Sequence, residues 1–194
     1  GAKVVIAPRQ TVADARELIR TIEEHHVTFM QATPTTWRLM AAAGWQGKTG
    51  FKILCGGEPL PRDLAGHLTA MDAEVWNMYG PTETTVWSTC HRLAADQPKI
   101  LVGWPIDNTR LYILDNKQQL LPAGAIGELY IGGAGVAKGY FRQPELTEKR
   151  FIVNPFGNDP EDRLYQTGDL ARFDADGTLE LLGRDDQQIK LHGY

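Results

Sequence analysis

The sequence predicts an α/β fold, in which part of a helix-covered, mainly parallel sheet is followed by a small antiparallel β-barrel subdomain. Two observations predict it. Over residues 1–98, short apolar runs alternate with segments of helical spacing, which is typical of parallel sheets covered by helices. Over residues 99–185, apolar and polar side chains alternate between turns, which is typical of antiparallel strands. The 194 residues are enough for one large domain or two small ones.

The first part of the chain predicts four strands and three helices. The β-branched run at residues 3–7 predicts a buried strand, and Thr11 with Asp14 three residues later predicts a capped helix start. Pro34 suits the first position of a second helix, and Gly44 suits its end because glycine readily adopts left-handed backbone angles. The other predicted elements are strands at residues 27–32, 51–55 and 74–78 and a helix that begins at Pro61.

The second part of the chain predicts mainly antiparallel strands. Polar and apolar side chains alternate at residues 110–113 and 128–131. Asp176 and Gly177 form a strong hairpin signal between two such runs, at residues 170–173 and 178–182. Only residues 144–151 have a helical pattern, so we expect one helix in this part.

Composition restricts the classes of partner. The net charge of −4 gives no overall basic field of the kind that attracts nucleic acid or an anionic membrane. No apolar run approaches the length of a membrane span, and no signal peptide is evident. Cys55 and Cys90 lack the spacing of a redox or metal-binding pair, which favours a reducing, cytoplasmic setting.

Unusual polar segments follow three of the predicted strands. They are residues 31–35, 56–59 and 77–85, the last reading "NMYGPTETT". Parallel strands bring their carboxyl ends to one edge of the sheet, and ligands of such sheets bind outside that edge. The three segments together therefore predict a binding site, although each of them alone is also compatible with a polar turn.

The side chains in "NMYGPTETT" suit a phosphate-bearing ligand. Tyr79 offers a flat face for a planar ring, and Thr82 offers a hydroxyl and a backbone N–H to an anionic oxygen. Glu83 offers a hard oxygen ligand for Mg²⁺. Further along, Asp169 is either an exposed turn residue or an acceptor for two ribose hydroxyls. Arg184 belongs to a segment that is either a solvated linker or a hinge, and it could meet phosphate or ribose oxygens.

The glycine-rich segment at residues 132–139 is not predicted to bind phosphate. Its glycines do not have the G-x-G-x-x-G spacing, and no amphipathic helix follows. We interpret it as a connection between strands whose glycines allow bulges and close approach of another backbone.

Four segments in the same order resemble a known family. "NMYGPTETT", "GELYIGGAGVAKGY", "YQTGDLARF" and "GRDDQQIKLHG" resemble the later core motifs of nonribosomal peptide synthetase adenylation domains, within the adenylate-forming superfamily. The resemblance covers essentially the whole chain and implies a partial large N-terminal domain. Residues 1–98 would belong to the α/β subdomain with the nucleotide and amino-acid pocket, 99–185 to the barrel-like subdomain, and 186–194 to a hinge and the start of a C-terminal subdomain.

The resemblance implies an amino-acid adenylating ligase. Such domains use ATP and Mg²⁺ to convert an amino acid to an aminoacyl adenylate, and then transfer it to the phosphopantetheine thiol of a carrier protein. A peptidyl carrier protein and a condensation domain of the same assembly line would be its partners. Neither end of the chain resembles a natural terminus, and the phosphate loop and catalytic lysine of the family are not in it, so we expect the fragment to be inactive alone.

Residue roles are implied by matching positions. Thr82 would contact the α-phosphate and Glu83 would hold Mg²⁺, which makes these two the predicted catalytic residues. Asp186 would be the hinge. The predicted nucleotide-binding residues are Gly57 and Glu58 on one face of adenine, Tyr79 on the other, Asn77 at its edge, Thr82 at phosphate, Asp169 at ribose, and Arg184 and Lys190 near ribose or phosphate. The predicted substrate pocket consists of Gln31, Leu54, Gly56, Met78, Val86 and Trp87.

None of the pocket residues is charged, which favours an amino acid with an uncharged side chain. Two alternatives stay open. The chain could belong to an acyl- or aryl-CoA ligase of the same superfamily, or it could be a non-catalytic excised or engineered subdomain that binds nucleotide weakly.

Overall fold

The computed structural model describes residues 1–95 and 97–184. These residues form two compact units, each with its own core. The first unit consists of Gly1–Asn77 with Arg92–Ile100, and the second consists of Met78–His91 with the described residues from Leu101 onward. Within the described ranges, no helix combines the length and the apolar character that crossing a membrane requires.

The first unit has the predicted alternation of strands and helices. Its strands β1 (Phe29–Ala32), β2 (Gly47–Gly56) and β3 (Asp72–Tyr79) lie side by side in that order, and β1 and β2 are parallel, which confirms that part of the predicted sheet. The predicted second helix begins at Pro34, as expected. Gly44 follows its last turn, also as expected, and has a left-handed φ of 92°. The elements are α1 Arg9–Ala13, α2 Ala15–Glu24, β1 Phe29–Ala32, α3 Pro34–Ala42, β2 Gly47–Gly56, α4 Arg62–Thr69 and β3 Asp72–Tyr79.

Two predictions at the start of the chain are wrong. Residues 3–7 form no strand, and Val4 and Ile6 are 80% and 88% exposed. A β-branched run becomes a strand only against a partner strand, and none pairs with it among the described residues. Thr11 lies inside α1, and the helix cap is Asp14 instead, whose carboxylate accepts the N–H of Arg16 at 2.9 Å. The cap residue and its predicted acidic partner were therefore misassigned.

Replacing Asp14 with alanine is expected to lower the free energy of unfolding by about 1 kcal/mol. The Asp14 carboxylate satisfies two backbone N–H groups in the first turn of α2, those of Arg16 and Glu17, and alanine leaves them to water. The measurement is the midpoint of chemical unfolding. Glu23→Ala, an exposed change in the same helix, is the matched control, and equal midpoints for the two variants would show that the cap contributes nothing.

The core of the first unit packs the helices on one face of the sheet. Trp37 stacks on Trp45 with ring centroids 5.7 Å apart, and Phe51 meets both rings edge-on. Alternate residues of β2 point to opposite faces, so one face is buried in this core and the other remains available at the strand's end. The buried residues include Leu18, Ile22, Met40, Ile53, Cys55, Leu60, Leu64, Leu68 and Val75.

The second unit is mainly antiparallel β structure, as predicted. One sheet has the strand order β10 (Leu179–Arg184), β9 (Arg163–Phe173), β7 (Gly127–Gly133) and β6 (Thr109–Leu114), and β8 (Phe151–Val153) also pairs with β9. This order is open rather than a closed barrel. Outside this sheet, β4 (Thr89–Arg92) pairs with β5 (Trp104–Pro105). The elements are a 3-10 turn at Thr82–Thr84, β4 Thr89–Arg92, β5 Trp104–Pro105, β6 Thr109–Leu114, β7 Gly127–Gly133, α5 Pro144–Arg150, β8 Phe151–Val153, β9 Arg163–Phe173 and β10 Leu179–Arg184.

The predicted hairpin at Asp176 and Gly177 connects β9 to β10. Gly177 has a φ of 83°, and the Asp176 carboxylate accepts the N–H of Thr178 at 3.0 Å. The predicted single helix of this part is α5. A buried cluster holds the sheet together: Tyr79, Val102, Ile113, Leu129, Ile131, Ala171 and Leu179.

Candidate active site

The first unit presents three predicted pocket residues on one face of its sheet. Gln31 and Leu54 are register partners on the parallel strands β1 and β2, so their side chains lie side by side. Gly56 ends β2 two residues later and therefore belongs to the same face. Gln31 is exposed, Leu54 is half-buried and Gly56 is buried. Ile53 and Cys55 point the opposite way into the core, which leaves the predicted pocket face free of core packing.

Glu58 follows β2 with one carboxylate oxygen satisfied. Its Oε2 accepts the Thr35 hydroxyl at 3.0 Å, while its Oε1 is buried with no hydrogen-bond partner in the described part of the chain. Burial, followed by the charge of Glu58, raises the pKa of the Cys55 thiol to about 12. The neighbouring Gly57 has a left-handed φ of 87°, and Asn77, two residues before the end of β3, is 4% exposed. Glu58 therefore keeps a buried acceptor at this strand end.

In the second unit, three predicted nucleotide residues form one hydrogen-bonded set. The Tyr79 hydroxyl donates to Asp169 Oδ2 at 2.5 Å, and the Arg184 guanidinium donates to Asp169 Oδ1 at 3.0 Å. Tyr79 and Asp169 are each 8% exposed. Burial, and secondarily the adjacent Asp169 charge, raises the pKa of Tyr79 well above its ordinary value, so this hydroxyl stays a donor. A buried carboxylate needs such partners, because desolvation otherwise disfavours its charge.

A β-bulge in β9 presents Asp169. The register between β7 and β9 shifts, so that residues 167–169 lie opposite Leu129 alone. Gly168 adopts a φ of 77° in this bulge, and the Thr167 hydroxyl both donates to the Leu129 carbonyl at 2.7 Å and accepts the Asp169 N–H at 3.0 Å. Glu128 holds the bulge by accepting the Gly168 N–H at 3.0 Å. Bulges turn a side chain to a new direction, and here the turned side chain is Asp169.

A second irregularity aligns Arg184 with that carboxylate. Leu181 pairs with Ala171, but Gly183 pairs with Leu170, which leaves one residue of β10 extra. Gly183 takes a φ of 124° at this point. The shift moves Arg184 directly opposite Asp169, where an opposite-charge pair across two strands is favourable.

The turn after β3 is tightly constrained. A Cβ on Gly80 would approach the Ser88 nitrogen and the Val86 oxygen at 2.6 Å each, so only glycine fits without a backbone shift. The Ser88 N–H donates to the Tyr79 carbonyl at 2.8 Å. Thr85 and Val86 both have left-handed backbones, with φ of 63° and 69°. Each such β-branched residue costs about 1–3 kcal/mol and persists only where surrounding contacts impose it.

The two predicted catalytic residues lie in this turn. Thr82 is exposed and begins the 3-10 turn, and Glu83 is half-buried. The Tyr140 hydroxyl donates to Glu83 Oε1 at 2.6 Å. Burial, then hydrogen bonding with Tyr140 and the charge of Glu83, raises the pKa of Tyr165 far above its ordinary value. The pKa of Tyr140 is also raised, first by burial, so both phenols stay neutral and add no competing negative charge, and Tyr140 donates its hydrogen bond to Glu83.

The remaining predicted residues divide by their exposure. Met78 is 8% exposed, Trp87 is half-buried, and Val86 is 61% exposed on the strained turn. The predicted hinge Asp186 and the predicted nucleotide contact Lys190 lie outside the described residues. The predicted adenine sandwich between Tyr79 and the 57–58 backbone, and the assembly of one substrate pocket, stay predictions.

Sequence reasoning missed two residues that hold the site. Glu128 supports the bulge before Asp169, and Tyr140 holds Glu83. Glu128 was interpreted only as part of a predicted strand, and Tyr140 only as part of the motif that carries the family resemblance. The signal was present in "GELYIGGAGVAKGY", because an acid and a tyrosine flank its glycines. The close backbone approach predicted for those glycines is confirmed, since a Cβ on Gly135 would lie 2.8 Å from the Thr84 oxygen.

The side chains that could act as metal ligands restrict the kind of metal site in the described residues. Among residues 1–95 and 97–184, no cluster of three or more His, Cys, Asp or Glu side chains is arranged to bind a metal ion. A single carboxylate such as Glu83 nevertheless suits Mg²⁺, which usually retains waters and is shared with substrate phosphates.

Known proteins are similar to this chain over its length. The model of a family described as "AMP-binding enzyme" matches residues 1–141. A dimodular nonribosomal peptide synthase of Bacillus subtilis (strain 168) is 44% identical over the whole chain, which covers 8% of that protein. A PKS-NRPS hybrid synthetase of Aspergillus niger is 46% identical, again over the whole chain, which covers 10% of it. The chain thus spans a tenth or less of these curated relatives.

Solved structures agree with the sequence comparison. A four-domain nonribosomal peptide synthetase bound to AMP and glycine matches 97% of the chain with a TM-score of 0.85 and 41% identity, over 14% of its own length. An NRPS protein containing adenylation and PCP domains matches 97% of the chain with a TM-score of 0.86 and 28% identity, over 39% of its length. The predicted fold class and the predicted resemblance to nonribosomal peptide synthetase adenylation domains are confirmed. The chain belongs to the family of AMP-binding enzymes.

Proposed function

We propose that this chain forms part of an adenylation domain that activates an amino acid with ATP as an aminoacyl adenylate and releases pyrophosphate. The observation that carries the proposal is the Asp169 carboxylate, which a bulge presents between the Tyr79 hydroxyl and the Arg184 guanidinium. An acidic acceptor beside an aromatic ring and a cation matches the ribose, base and phosphate of a nucleotide. The similar four-domain synthetase bound to AMP and glycine supports the same ligand class.

Each nucleotide residue has a task in the proposal. Tyr79 offers its ring to adenine and keeps its hydroxyl on Asp169. Asp169 accepts the ribose hydroxyls, for which the Arg184 contact must loosen or be shared. Thr82, exposed at the start of the 3-10 turn, donates to the α-phosphate. The remaining proposed contacts are those of the 57–58 backbone, Asn77 and Lys190 with adenine, ribose or phosphate.

Glu83 is the proposed ligand of Mg²⁺. Its carboxylate is a hard oxygen donor held at 2.6 Å by a neutral phenol, which fits a cation that is otherwise coordinated by phosphate and water. When bound, Mg²⁺ would offset the negative charge that accumulates when a carboxylate attacks a phosphate. Glu83 fixes where that cation lies, and Thr82 fixes the phosphate beside it.

The proposed amino-acid pocket is uncharged. Gln31, Leu54 and Gly56 share one face of the sheet in the first unit, and Met78, Val86 and Trp87 are the proposed contributions from the second. A charged substrate side chain would need a buried counter-ion, and none of the six residues supplies one. The proposal therefore favours a substrate with an uncharged side chain.

The activated acyl group is proposed to pass to a phosphopantetheine thiol. A similar solved protein contains adenylation and PCP domains, which supports a peptidyl carrier protein as partner. Condensation domains are the other proposed partners in the assembly line. Cys55 and Cys90 are both free, in keeping with the proposed cytoplasmic location.

Amino-acid-dependent ATP–pyrophosphate exchange tests the proposal. We expect the protein that carries this chain to transfer label from pyrophosphate into ATP only when one of a restricted set of amino acids and a divalent cation are present. The panel should include fatty and aromatic acids with coenzyme A, which an acyl- or aryl-CoA ligase would use. Exchange with those acids alone, or nucleotide binding without any exchange, would replace the proposal with one of the two alternatives.

A further inference from the structure

The glycine-rich segment at residues 132–139 lies directly against the turn that carries Glu83. The Ala137 N–H donates to the Glu83 carbonyl at 2.8 Å, and the Thr85 hydroxyl donates to the Gly135 carbonyl at 2.7 Å. A side chain at Gly135 would collide with the Thr84 carbonyl. The close approach that these glycines permit is therefore made to the backbone of the Glu83 turn.

This contact accounts for the strained backbone of the turn. Two consecutive β-branched residues, Thr85 and Val86, adopt left-handed angles that such residues rarely take. Strain of this kind persists where the surroundings over-determine it, and it concentrates at functional sites. The hydrogen bonds between this turn and the glycine-rich segment, together with the 2.6 Å hydrogen bond between the Thr84 and Ser88 hydroxyls, supply that restraint.

Tyr140 extends the restraint from the backbone to the carboxylate. Its hydroxyl reaches Glu83 Oε1 at 2.6 Å across 57 residues of sequence. Tyr140 is itself fixed at both ends, because its N–H donates to the Thr147 hydroxyl at 2.9 Å and its ring meets Phe151 edge-on at 5.4 Å. A donor restrained in this way favours one orientation of the carboxylate it binds, and each carboxylate oxygen still has a lone pair for a cation.

We propose that Tyr140 is a positioning residue that orients the Glu83 carboxylate for the divalent cation of the nucleotide. The inference rests on the metal role of Glu83 in the proposed function. The glycine-rich segment thereby has a role in holding the site, although its glycines do not have the spacing of a phosphate-binding loop. Tyr140 contacts neither the nucleotide nor the cation in this proposal and acts through Glu83 alone.

Tyr140→Phe removes only the hydroxyl and is the direct test. We expect it to raise the Mg²⁺ concentration for half-maximal exchange by about tenfold, because a hydrogen bond to a charged group is lost. A second readout does not depend on turnover: the Mg²⁺-dependent part of the thermal stabilisation by ATP should shift to higher Mg²⁺ by a similar factor. The control is Tyr112→Phe, since Tyr112 stacks on Phe156 with centroids 5.2 Å apart and lies outside the site.

A double-mutant cycle separates positioning from a general structural role. In a Glu83→Ala background, Tyr140→Phe should cause no further change in Mg²⁺ dependence, because its only route is already removed. An equal loss in both backgrounds, or identical Mg²⁺ titrations for Tyr140→Phe and Tyr112→Phe, would overturn the proposal. If no amino acid supports exchange but the Mg²⁺-dependent stabilisation by ATP still separates the two variants, the proposed function fails while the positioning role stands.

Discussion

Replacing Glu83 with alanine is expected to slow amino-acid-dependent pyrophosphate exchange by about 10²–10³-fold, the usual effect of removing one group that stabilises charge in a transition state. Among the described residues, no group of three or more acidic, histidine or cysteine side chains is arranged to bind a metal ion, so the proposed cation depends on the Glu83 carboxylate together with phosphate and water. The carboxylate is also pre-oriented, since the strained turn and the Tyr140 hydroxyl fix it before any ligand arrives. Alanine removes the cation ligand together with that orientation.

Two variants separate charge from shape in this test. Glu83→Gln keeps the size and an acceptor for Tyr140 but removes the charge, so we expect a loss close to that of alanine. Glu148→Ala removes an exposed carboxylate from α5 in the same unit and should leave exchange unchanged. Exchange rates for Glu83→Ala within twofold of the parent protein would exclude the metal role of Glu83.

Local signals in the sequence were sufficient for most of the fold. Pro34 starts its helix and Gly44 follows the helix end because of their own backbone preferences. Asp176 and Gly177 form their hairpin turn for the same reason. The run at residues 3–7 failed because strand formation depends on a partner elsewhere in the chain. Asp14 displaced Thr11 as the cap because α1 ends at Ala13 and a new helix begins immediately after it.

The candidate site was predictable in its residue types and not in its geometry. Tyr79, Asp169 and Arg184 could be selected by their chemistry, but two register shifts decide that they meet, and a shift of register is a property of paired strands. The sequence places Tyr140 far from Glu83, and only the packing of the glycine-rich segment against the turn joins them. Sequence patterns report neighbours along an element, whereas these contacts cross between elements.

Replacing Asp169 with alanine is expected to lower the free energy of unfolding by about 3 kcal/mol and to slow exchange by about 10²–10³-fold. The stability loss arises because the Arg184 guanidinium and the Tyr79 hydroxyl, both largely buried, would lose their shared acceptor. Chemical unfolding measures the first effect, and exchange at a temperature where the variant remains folded measures the second.

Asp169→Asn together with 2′-deoxy-ATP distinguishes ribose binding from a purely structural role. Asparagine keeps an acceptor for Tyr79 and the shape of the bulge, so it should unfold closer to the parent protein than alanine does. If Asp169 accepts the ribose hydroxyls, the parent protein should prefer ATP over 2′-deoxy-ATP by about tenfold, the value of one hydrogen bond to a charged group. The preference should largely disappear in Asp169→Asn, because the neutral amide accepts that hydrogen bond more weakly. An undiminished preference would assign Asp169 to the ion pair with Arg184 alone, since a structural residue changes both nucleotides equally.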